Sequence, residues 1–252
     1  MFDLKGKTIL VTGGSRGIGA EIVKAAAGQG ASVLLHYASN KAAAEATAKT
    51  AGAKRCTLLQ ADLSDPEGAE ALWTEAIVAA PRIDILINNA GIFEDAPIDA
   101  SSAEWRAAWT RVLQVNLLAP ADLCRLAVLH FRKHGGGKII NVSSRAAFRG
   151  EAPDQWPYGA SKGALVTMTK TIARGFAKDG VLAFGIAPGF TETDMVTEGM
   201  SKTAIAKVVA DIPLGEMAPA SEVGALAAFL CANEARHLTG ATFDLNGASY
   251  VR

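Results

Sequence analysis

The sequence contains few of the residues that mark specialised classes of protein. Its three cysteines, Cys56, Cys124 and Cys231, are odd in number and far apart, so we expect neither a disulfide framework nor a cysteine zinc site. The four histidines form no ligand cluster, and no bound metal is expected. With 25 glycines and only 9 prolines in 252 residues, the composition is typical of a globular protein.

An excess of charge of one sign is also lacking. Lys and Arg number 25, as do Asp and Glu, so the formal net charge is zero. No overall field would attract nucleic acid or an anionic membrane, and we expect neither as a partner. No uninterrupted apolar run approaches the ~20 residues that span a bilayer. The first residues do not resemble a signal peptide, so we expect a soluble, cytoplasmic protein.

Short apolar runs alternate with longer alanine-rich segments along the chain. Strands, of the kind covered on both faces, are predicted at 8–11, 32–35, 57–59, 83–87, 138–142, 181–186 and 242–245. Helices are predicted at 17–29, 41–51, 66–80, 103–133, 157–178 and 220–232, with a less regular helical stretch near 195–210. This alternation implies right-handed crossovers. We predict an α/β fold: one domain over 1–252, with a doubly wound, seven-stranded parallel sheet and helices on both faces.

The first predicted strand leads into a glycine-rich turn, Thr12-Gly13-Gly14-Ser15-Arg16-Gly17-Ile18-Gly19, where a helix begins. Glycines allow a tight turn and close approach of a pyrophosphate, which the unpaired N–H groups at a helix N-terminus bind. The spacing is GxxxGxG and not the usual GxGxxG, but its place between strand and helix favours a dinucleotide site over a structural turn. The predicted contacts are Gly13, Ser15, Arg16, Gly17, Ile18 and Gly19.

The end of the second strand favours NADP(H) over NAD(H). An acidic side chain there would bind the ribose hydroxyls of NAD and repel a 2′-phosphate. The sequence has His36-Tyr37-Ala38-Ser39-Asn40-Lys41, without a carboxylate, and Arg16 and Lys41 add positive charge suited to a phosphate. Tyr37, Ser39 and Asn40 are predicted contacts. The alternative is that Arg16 and Lys41 are solvated surface charges and that both cofactors are used.

Tyr158 and Lys162 are four residues apart, so they share one face of a predicted helix. A tyrosine near its usual pKa of ~10 is a poor base at neutral pH, but a neighbouring ammonium and an oxidised nicotinamide could lower that pKa. Such a pair in isolation is commonly a surface feature. Here a strand ends in Ser143 and Ser144 at the carboxyl edge of the sheet, where open α/β folds bind ligands, and Ser144 could donate to a substrate oxygen.

Asn116 is an unusual residue for the interior of the long helix predicted over 103–133. Its amide fits a water-linked proton path to Lys162, and it fits equally a buried amide satisfied by the backbone. Both interpretations stay open at this point.

Taken together, these motifs resemble the short-chain dehydrogenase/reductase family over essentially the whole chain. TGGSRGIG at 12–19, Asp62-Leu63, NNAG at 88–91, Asn116, Ser144, YGASK at 158–162 and Pro188-Gly189 fall in family order. The resemblance implies a Rossmann fold, a homotetramer, and a catalytic tetrad of Asn116, Ser144, Tyr158 and Lys162, the last two also touching the cofactor. It further implies cofactor contacts from Asp62, Leu63, Asn89, Ala90, Gly91, Pro188, Gly189, Thr191 and Thr193.

Two segments, PGFTETDM at 188–195 and TGATFDLNGASYVR at 239–252, look like bacterial 3-oxoacyl-[acyl-carrier-protein] reductases, which use NADPH. That resemblance implies reduction of a 3-oxoacyl thioester to a secondary alcohol, with acyl carrier protein as a possible partner. The stretch at 145–154 departs from those reductases, so another ketone, sugar or alcohol remains an alternative substrate. A dinucleotide-binding sensor is the non-enzymatic alternative. A substrate lid is expected around 190–213.

Overall fold

The computed structural model describes residues 2–193 and 201–252, and a parallel sheet forms its centre. The seven strands of this sheet lie in the order β3-β2-β1-β4-β5-β6-β9. Their bounds are β1 Thr8–Val11, β2 Ser32–Tyr37, β3 Cys56–Gln60, β4 Ile85–Asn88, β5 Gly137–Val142, β6 Val181–Pro188 and β9 Thr242–Leu245. Two short strands, β7 Thr191–Glu192 and β8 Ala218–Pro219, pair with each other outside it.

Helices connect the strands and cover the sheet. They are α1 Gly17–Gly28, α2 Lys41–Gly52, α3 Gly68–Ala79, α4 Ser102–Leu113, α5 Ala119–Lys133, α6 Ala146–Arg149, α7 Trp156–Phe176, α8 Lys202–Ala210 and α9 Ala220–Cys231. The expected lid at 190–213 contains β7 and α8, while residues 194–200 lie outside the described part of the chain.

Alternating side chains of the strands form two hydrophobic clusters, one on each face of the sheet. In β1, Ile9 and Val11 pack with α1 and α9, whereas Leu10 packs with α3 and α5. Alternation along a strand directs successive side chains to opposite faces, so a strand buried on both sides has to be apolar at every position. The predicted α/β class with a seven-stranded parallel sheet is confirmed.

The strand order reverses direction at β1, which pairs with β2 on one side and with β4 on the other. The helices that follow these strands therefore lie on opposite faces of the sheet, leaving a crevice beyond the carboxyl ends of β1 and β4. Open α/β sheets bind ligands in this crevice. The glycine-rich turn after β1 opens directly into it.

The helix predicted over 103–133 is continuous but is not α-helical throughout. A five-residue π-helical segment, Gln114–Leu118, separates α4 from α5. Wide turns of this kind are rare and concentrate at functional sites. In this chain the segment carries Asn116, which is fully buried.

The continuous helical stretch Ser102–Lys133 passes a test of length and hydropathy for a membrane span. Half of the most apolar 18-residue part of this stretch is buried against the rest of the protein. A core helix of a globular fold passes the same test, and burial against the sheet accounts for the apolar character of this one.

Candidate active site

The glycine-rich turn has the geometry of an anion-binding helix terminus. Gly13 and Gly17 adopt φ values of 66° and 53°, the left-handed region that favours glycine. A Cβ added to Gly19 would lie 2.0 Å from the carbonyl oxygen of Gly13. Helix α1 has no side-chain cap and no acidic residue in its first turn. Its first N–H groups are therefore available to a phosphate, which fits a dinucleotide.

Two side chains hold this turn against the end of β4. The Asn89 amide nitrogen donates to the carbonyl oxygens of Thr12 (3.0 Å) and Gly13 (3.1 Å). In return the Thr12 hydroxyl accepts hydrogen bonds from the backbone N–H groups of Asn89 (2.9 Å) and Ala90 (3.0 Å). The turn and the NNAG segment thus form one rigid wall of the crevice.

His36 supports the same turn, a role that sequence reasoning missed. Its Nδ1 accepts a hydrogen bond from the Gly13 N–H at 3.1 Å, so the ring proton is on Nε2, which donates to the Ala61 carbonyl at 3.1 Å. Burial lowers the pKa of His36, although the bond to Ala61 and the charge of Asp62 act in the opposite direction. The neutral imidazole is the form that fits.

Stability should therefore depend on pH through His36. Its pKa is lower in the folded than in the unfolded state, so its contribution is complete above about pH 6.5 and is lost as the pH falls below that value. We expect His36→Phe to lower the free energy of unfolding by about 1–2 kcal/mol near neutral pH. In urea titrations this difference should shrink at acidic pH. A difference that stays constant with pH would contradict the assignment.

A cleft of about 470 Å³ runs along the carboxyl edge of the sheet. Its lining includes most of the predicted dinucleotide contacts: Gly13, Ser15, Arg16, Gly17, Ile18, Gly19, Asp62, Leu63, Asn89, Ala90, Gly91 and Thr193. Arg111, which sequence reasoning also missed, lines it as well and forms an ion pair with Glu94. The contacts at 13–19 were expected from the glycine-rich turn between strand and helix, whereas Asp62, Leu63, Asn89, Ala90, Gly91 and Thr193 were implied by the family resemblance.

Three residues at the end of β2 that were predicted to contact the cofactor do not line this cleft. Tyr37 is buried in the core, where its hydroxyl donates to Gln60 at 3.4 Å. Ser39 is exposed, and Asn40 caps α2 by accepting from the Ala43 N–H at 3.0 Å. From this part of the chain, His36 and Ala38 line the cleft instead.

Asn116 makes direct contacts that satisfy its amide. Its oxygen accepts from the Ile92 N–H at 2.8 Å, and its nitrogen donates to the Ile92 carbonyl at 2.9 Å and to the Ser161 hydroxyl at 3.3 Å. A Cβ on Gly91 would lie 3.3 Å from the Asn116 amide oxygen and 3.4 Å from the Lys162 Nζ. The π-helical segment therefore places Asn116 beside Lys162, with Gly91 between them.

Tyr158, Lys162 and Ser144 meet as their spacing predicts. The Lys162 Nζ lies 5.8 Å from the centroid of the Tyr158 ring and donates to the Val142 carbonyl at 3.0 Å. Ser144 accepts from the Ala146 N–H at 3.1 Å, and its hydroxyl is also within hydrogen-bonding reach of Tyr158. Burial lowers the pKa of Lys162 to about 8, so this side chain is still mainly an ammonium at neutral pH.

The pKa of Tyr158 is shifted in the direction opposite to the one that the sequence suggested. Burial raises it, a hydrogen bond with Ser144 lowers it by a smaller amount, and the charge of Glu151 raises it. Removal from solvent disfavours the phenolate more than the neighbouring groups favour it. Without a bound cofactor, Tyr158 is a protonated acid and not a base.

A second cavity, of about 600 Å³, begins where the dinucleotide cleft ends, and the two share Ile18, Asn89, Gly91, Ile92 and Thr193. We call it the substrate cavity. Its remaining lining residues are Phe93, Val142, Ser143, Ser144, Arg145, Glu151, Ala152, Tyr158, Lys162, Pro188, Gly189, Phe190 and Thr191. Pro188, Gly189 and Thr191, which were expected to contact the cofactor, thus line the substrate cavity and not the cleft.

Comparison with known proteins finds similarity to dehydrogenases and reductases. A profile of the family described as short chain dehydrogenase matches residues 7–204. The chain is 33% identical over 249 residues to 3-oxoacyl-[acyl-carrier-protein] reductase FabG of Escherichia coli (strain K12), with 99% of each chain covered. It is 35% identical over 254 residues to 3beta-hydroxysteroid dehydrogenase 1 of Eggerthella lenta, with 97% of this chain and 94% of that one covered. Since these relatives are named for different substrates, similarity at this level does not select among substrates.

Proposed function

Because this chain belongs to the short-chain dehydrogenase family and is thereby an oxidoreductase, we propose that it uses NADPH to reduce a carbonyl group to a secondary alcohol. One observation supports this most strongly. Tyr158, Ser144 and Lys162 line the substrate cavity, which adjoins the dinucleotide cleft, and the Lys162 Nζ lies close to Gly91, a residue that lines both. A carbonyl held there is next to both a proton donor and the place of the nicotinamide.

The proposed chemistry follows from the state of each side chain. NADPH held in the dinucleotide cleft would supply the hydride that the carbonyl carbon receives. Tyr158 donates its phenolic proton to the carbonyl oxygen, and its raised pKa keeps that proton in place at neutral pH. The Ser144 hydroxyl can donate a hydrogen bond to the same oxygen as negative charge develops. The Lys162 ammonium stabilises the phenolate that remains, and Asn116 holds the adjoining Ile92 backbone in place.

A 3-oxoacyl thioester is the first substrate that we propose, in keeping with the similarity to two 3-oxoacyl-[acyl-carrier-protein] reductases from different bacteria. A second candidate, a ketone that carries a charged group, is favoured by Arg145 and Glu151 in the cavity wall.

We extend the proposal to a cytoplasmic homotetramer. Leu118 and Leu129, which are 50% and 43% exposed, are compatible with a subunit contact, and a light-scattering mass would test it.

The test of function is NADPH consumption in the presence of purified protein and the N-acetylcysteamine thioester of 3-oxobutanoate. We expect saturable consumption and formation of the 3-hydroxy product. Consumption with other ketones alone would overturn the thioester as substrate and keep the reductase. Cofactor binding without consumption by any carbonyl compound would favour a sensor.

The preference for NADPH depends on Arg16 in this account. Arg16 is exposed and lines the cleft, whereas Lys41 forms an ion pair with Glu45 at 3.8 Å, away from the cleft lining. We expect Arg16→Ala to weaken NADPH binding by about tenfold, the loss of one charge-assisted hydrogen bond, and to leave NADH binding nearly unchanged. Lys41→Ala is the matched control and should alter neither. An equal loss for both cofactors would contradict recognition of the 2′-phosphate.

A further inference from the structure

Arg145 is a charged residue of the substrate cavity that has no part in the proposed proton and hydride transfers. It follows Ser144 directly, and its backbone N–H donates to the Pro188 carbonyl at 2.9 Å, which fixes it between the ends of β5 and β6. Its side chain lines the cavity, and only 3% of the residue is exposed. The guanidinium carbon lies 4.7 Å from the centroid of the Phe190 ring.

This buried cation has no anionic partner in the described part of the chain. No carboxylate of residues 2–193 or 201–252 forms an ion pair with it, and its Nη1 is buried without a hydrogen-bond partner. Burial, followed by the charge of Arg149, lowers the pKa of Arg145, and the charges of Glu151 and Asp211 offset this only in part. Arg149, four residues on, pairs with Asp211 at 3.2 Å.

An unpaired buried guanidinium is costly, since both desolvation and the missing hydrogen bonds oppose burial. The stacking on Phe190 offsets a part of this cost. A ligand that supplies a negative charge in the cavity would offset the remainder. The planar fork of N–H groups on arginine matches a carboxylate, to which it can donate two parallel hydrogen bonds.

We propose that Arg145 binds a carboxylate of the substrate, so that the protein reduces oxo acids whose carboxylate lies within a few bonds of the reacting carbonyl. The inference rests on the proposed carbonyl reduction, develops the second candidate substrate, the charged ketone, in place of the thioester, and makes Arg145 a specificity-determining residue. A thioester carbonyl would offer Arg145 one neutral acceptor and leave its charge uncompensated. Glu151, in the same wall, disfavours a second carboxylate and thus selects monoanions.

Matched pairs of acid and ester test the proposal. We expect kcat/KM with 3-oxobutanoate or 4-oxopentanoate to exceed that with the corresponding ethyl ester by at least about tenfold. Arg145→Met should remove this preference by slowing reduction of the acid about tenfold or more, with little effect on the ester. Arg145→Lys, which keeps the charge, should restore part of the rate with the acid. Arg149→Met is the matched control and should leave both rates unchanged.

A binding measurement separates this inference from the reaction itself. Calorimetric titration of 3-oxobutanoate into the complex with NADP⁺, which cannot reduce it, should give a Kd at least about tenfold lower for the wild type than for Arg145→Met. Reduction of the ester or thioester in preference to the acid would overturn the inference and leave the reductase intact. Equal losses for acid and ester in Arg145→Met would overturn it as well. Binding without turnover of any compound would keep the inference and reject the proposed function.

Discussion

Replacement of Tyr158 by phenylalanine should lower kcat for carbonyl reduction by about 10³-fold, the usual contribution of a positioned general acid. The change removes one hydroxyl and leaves the ring, which packs against Phe93 with a centroid distance of 5.0 Å. The other groups beside the reacting oxygen are poor replacements. Ser144 is an alcohol, and the Lys162 Nζ is 5.8 Å from the ring and donates to a backbone carbonyl.

NADPH binding should survive this substitution, since the cleft is built mainly from the glycine-rich turn and the ends of β3 and β4. A stopped assay of product formation, together with a fluorescence titration of NADPH, would separate the two effects. Tyr250→Phe is the matched control, because Tyr250 stacks on Phe148 and does not line the substrate cavity. A Tyr158→Phe enzyme that kept most of its kcat would show that another group delivers the proton.

Gly19→Ala should weaken NADPH binding by roughly 100-fold, because the turn cannot keep its shape around a Cβ at this position. The added carbon would lie 2.0 Å from the Gly13 carbonyl oxygen and 2.5 Å from the Asn89 amide nitrogen. Either Gly13 or Asn89 has to move, and each holds the other through a hydrogen bond of 3.1 Å. The N–H groups that point into the cleft would then lose their common orientation.

Gly28→Ala, at the other end of the same helix, is the matched control for Gly19→Ala. No atom lies within 4 Å of a Cβ added to Gly28. It should bind NADPH normally, and the better helix propensity of alanine should stabilise it by up to about 1 kcal/mol. Calorimetric titration and thermal unfolding of both variants are the measurements. Equal NADPH affinities of Gly19→Ala and Gly28→Ala would contradict the proposed phosphate contact.

The fold and the cleft could be predicted because their signals are local or periodic. Apolar runs such as the one in β4, separated by helical segments, are enough to indicate a parallel sheet. The glycine-rich turn is recognisable from its place between a strand and a helix, and the pair Tyr158 and Lys162 from its place after a strand that ends in Ser143 and Ser144. The register and exact boundaries of the strands are harder to predict from the sequence. For example, β2 extends two residues beyond its predicted end, to Tyr37. That extension makes Tyr37 a core residue, which does not line the cleft.

What escaped prediction depends on contacts between distant segments. The hydrogen bond from the Gly13 N–H to His36 joins residues 23 positions apart, and no pattern in the sequence indicates it. The π-helical segment Gln114–Leu118 is similar, because Asn116 bonds to the Ile92 backbone across 24 positions. The raised pKa of Tyr158 is a third case. Spacing indicated the nearby ammonium correctly, but the burial that outweighs it follows only from the packed structure.

Isotope labelling of the transferred hydrogen is the most direct test of hydride transfer at this site. NADPH deuterated at the transferable position of the nicotinamide should be incubated with wild-type protein and the carbonyl compound that it consumes fastest. Mass spectrometry of the alcohol should find one deuterium on the carbon that carried the oxo group, and the Tyr158→Phe variant should form almost no product. An alcohol without deuterium, or an equal yield from the Tyr158→Phe variant, would contradict hydride transfer at this site.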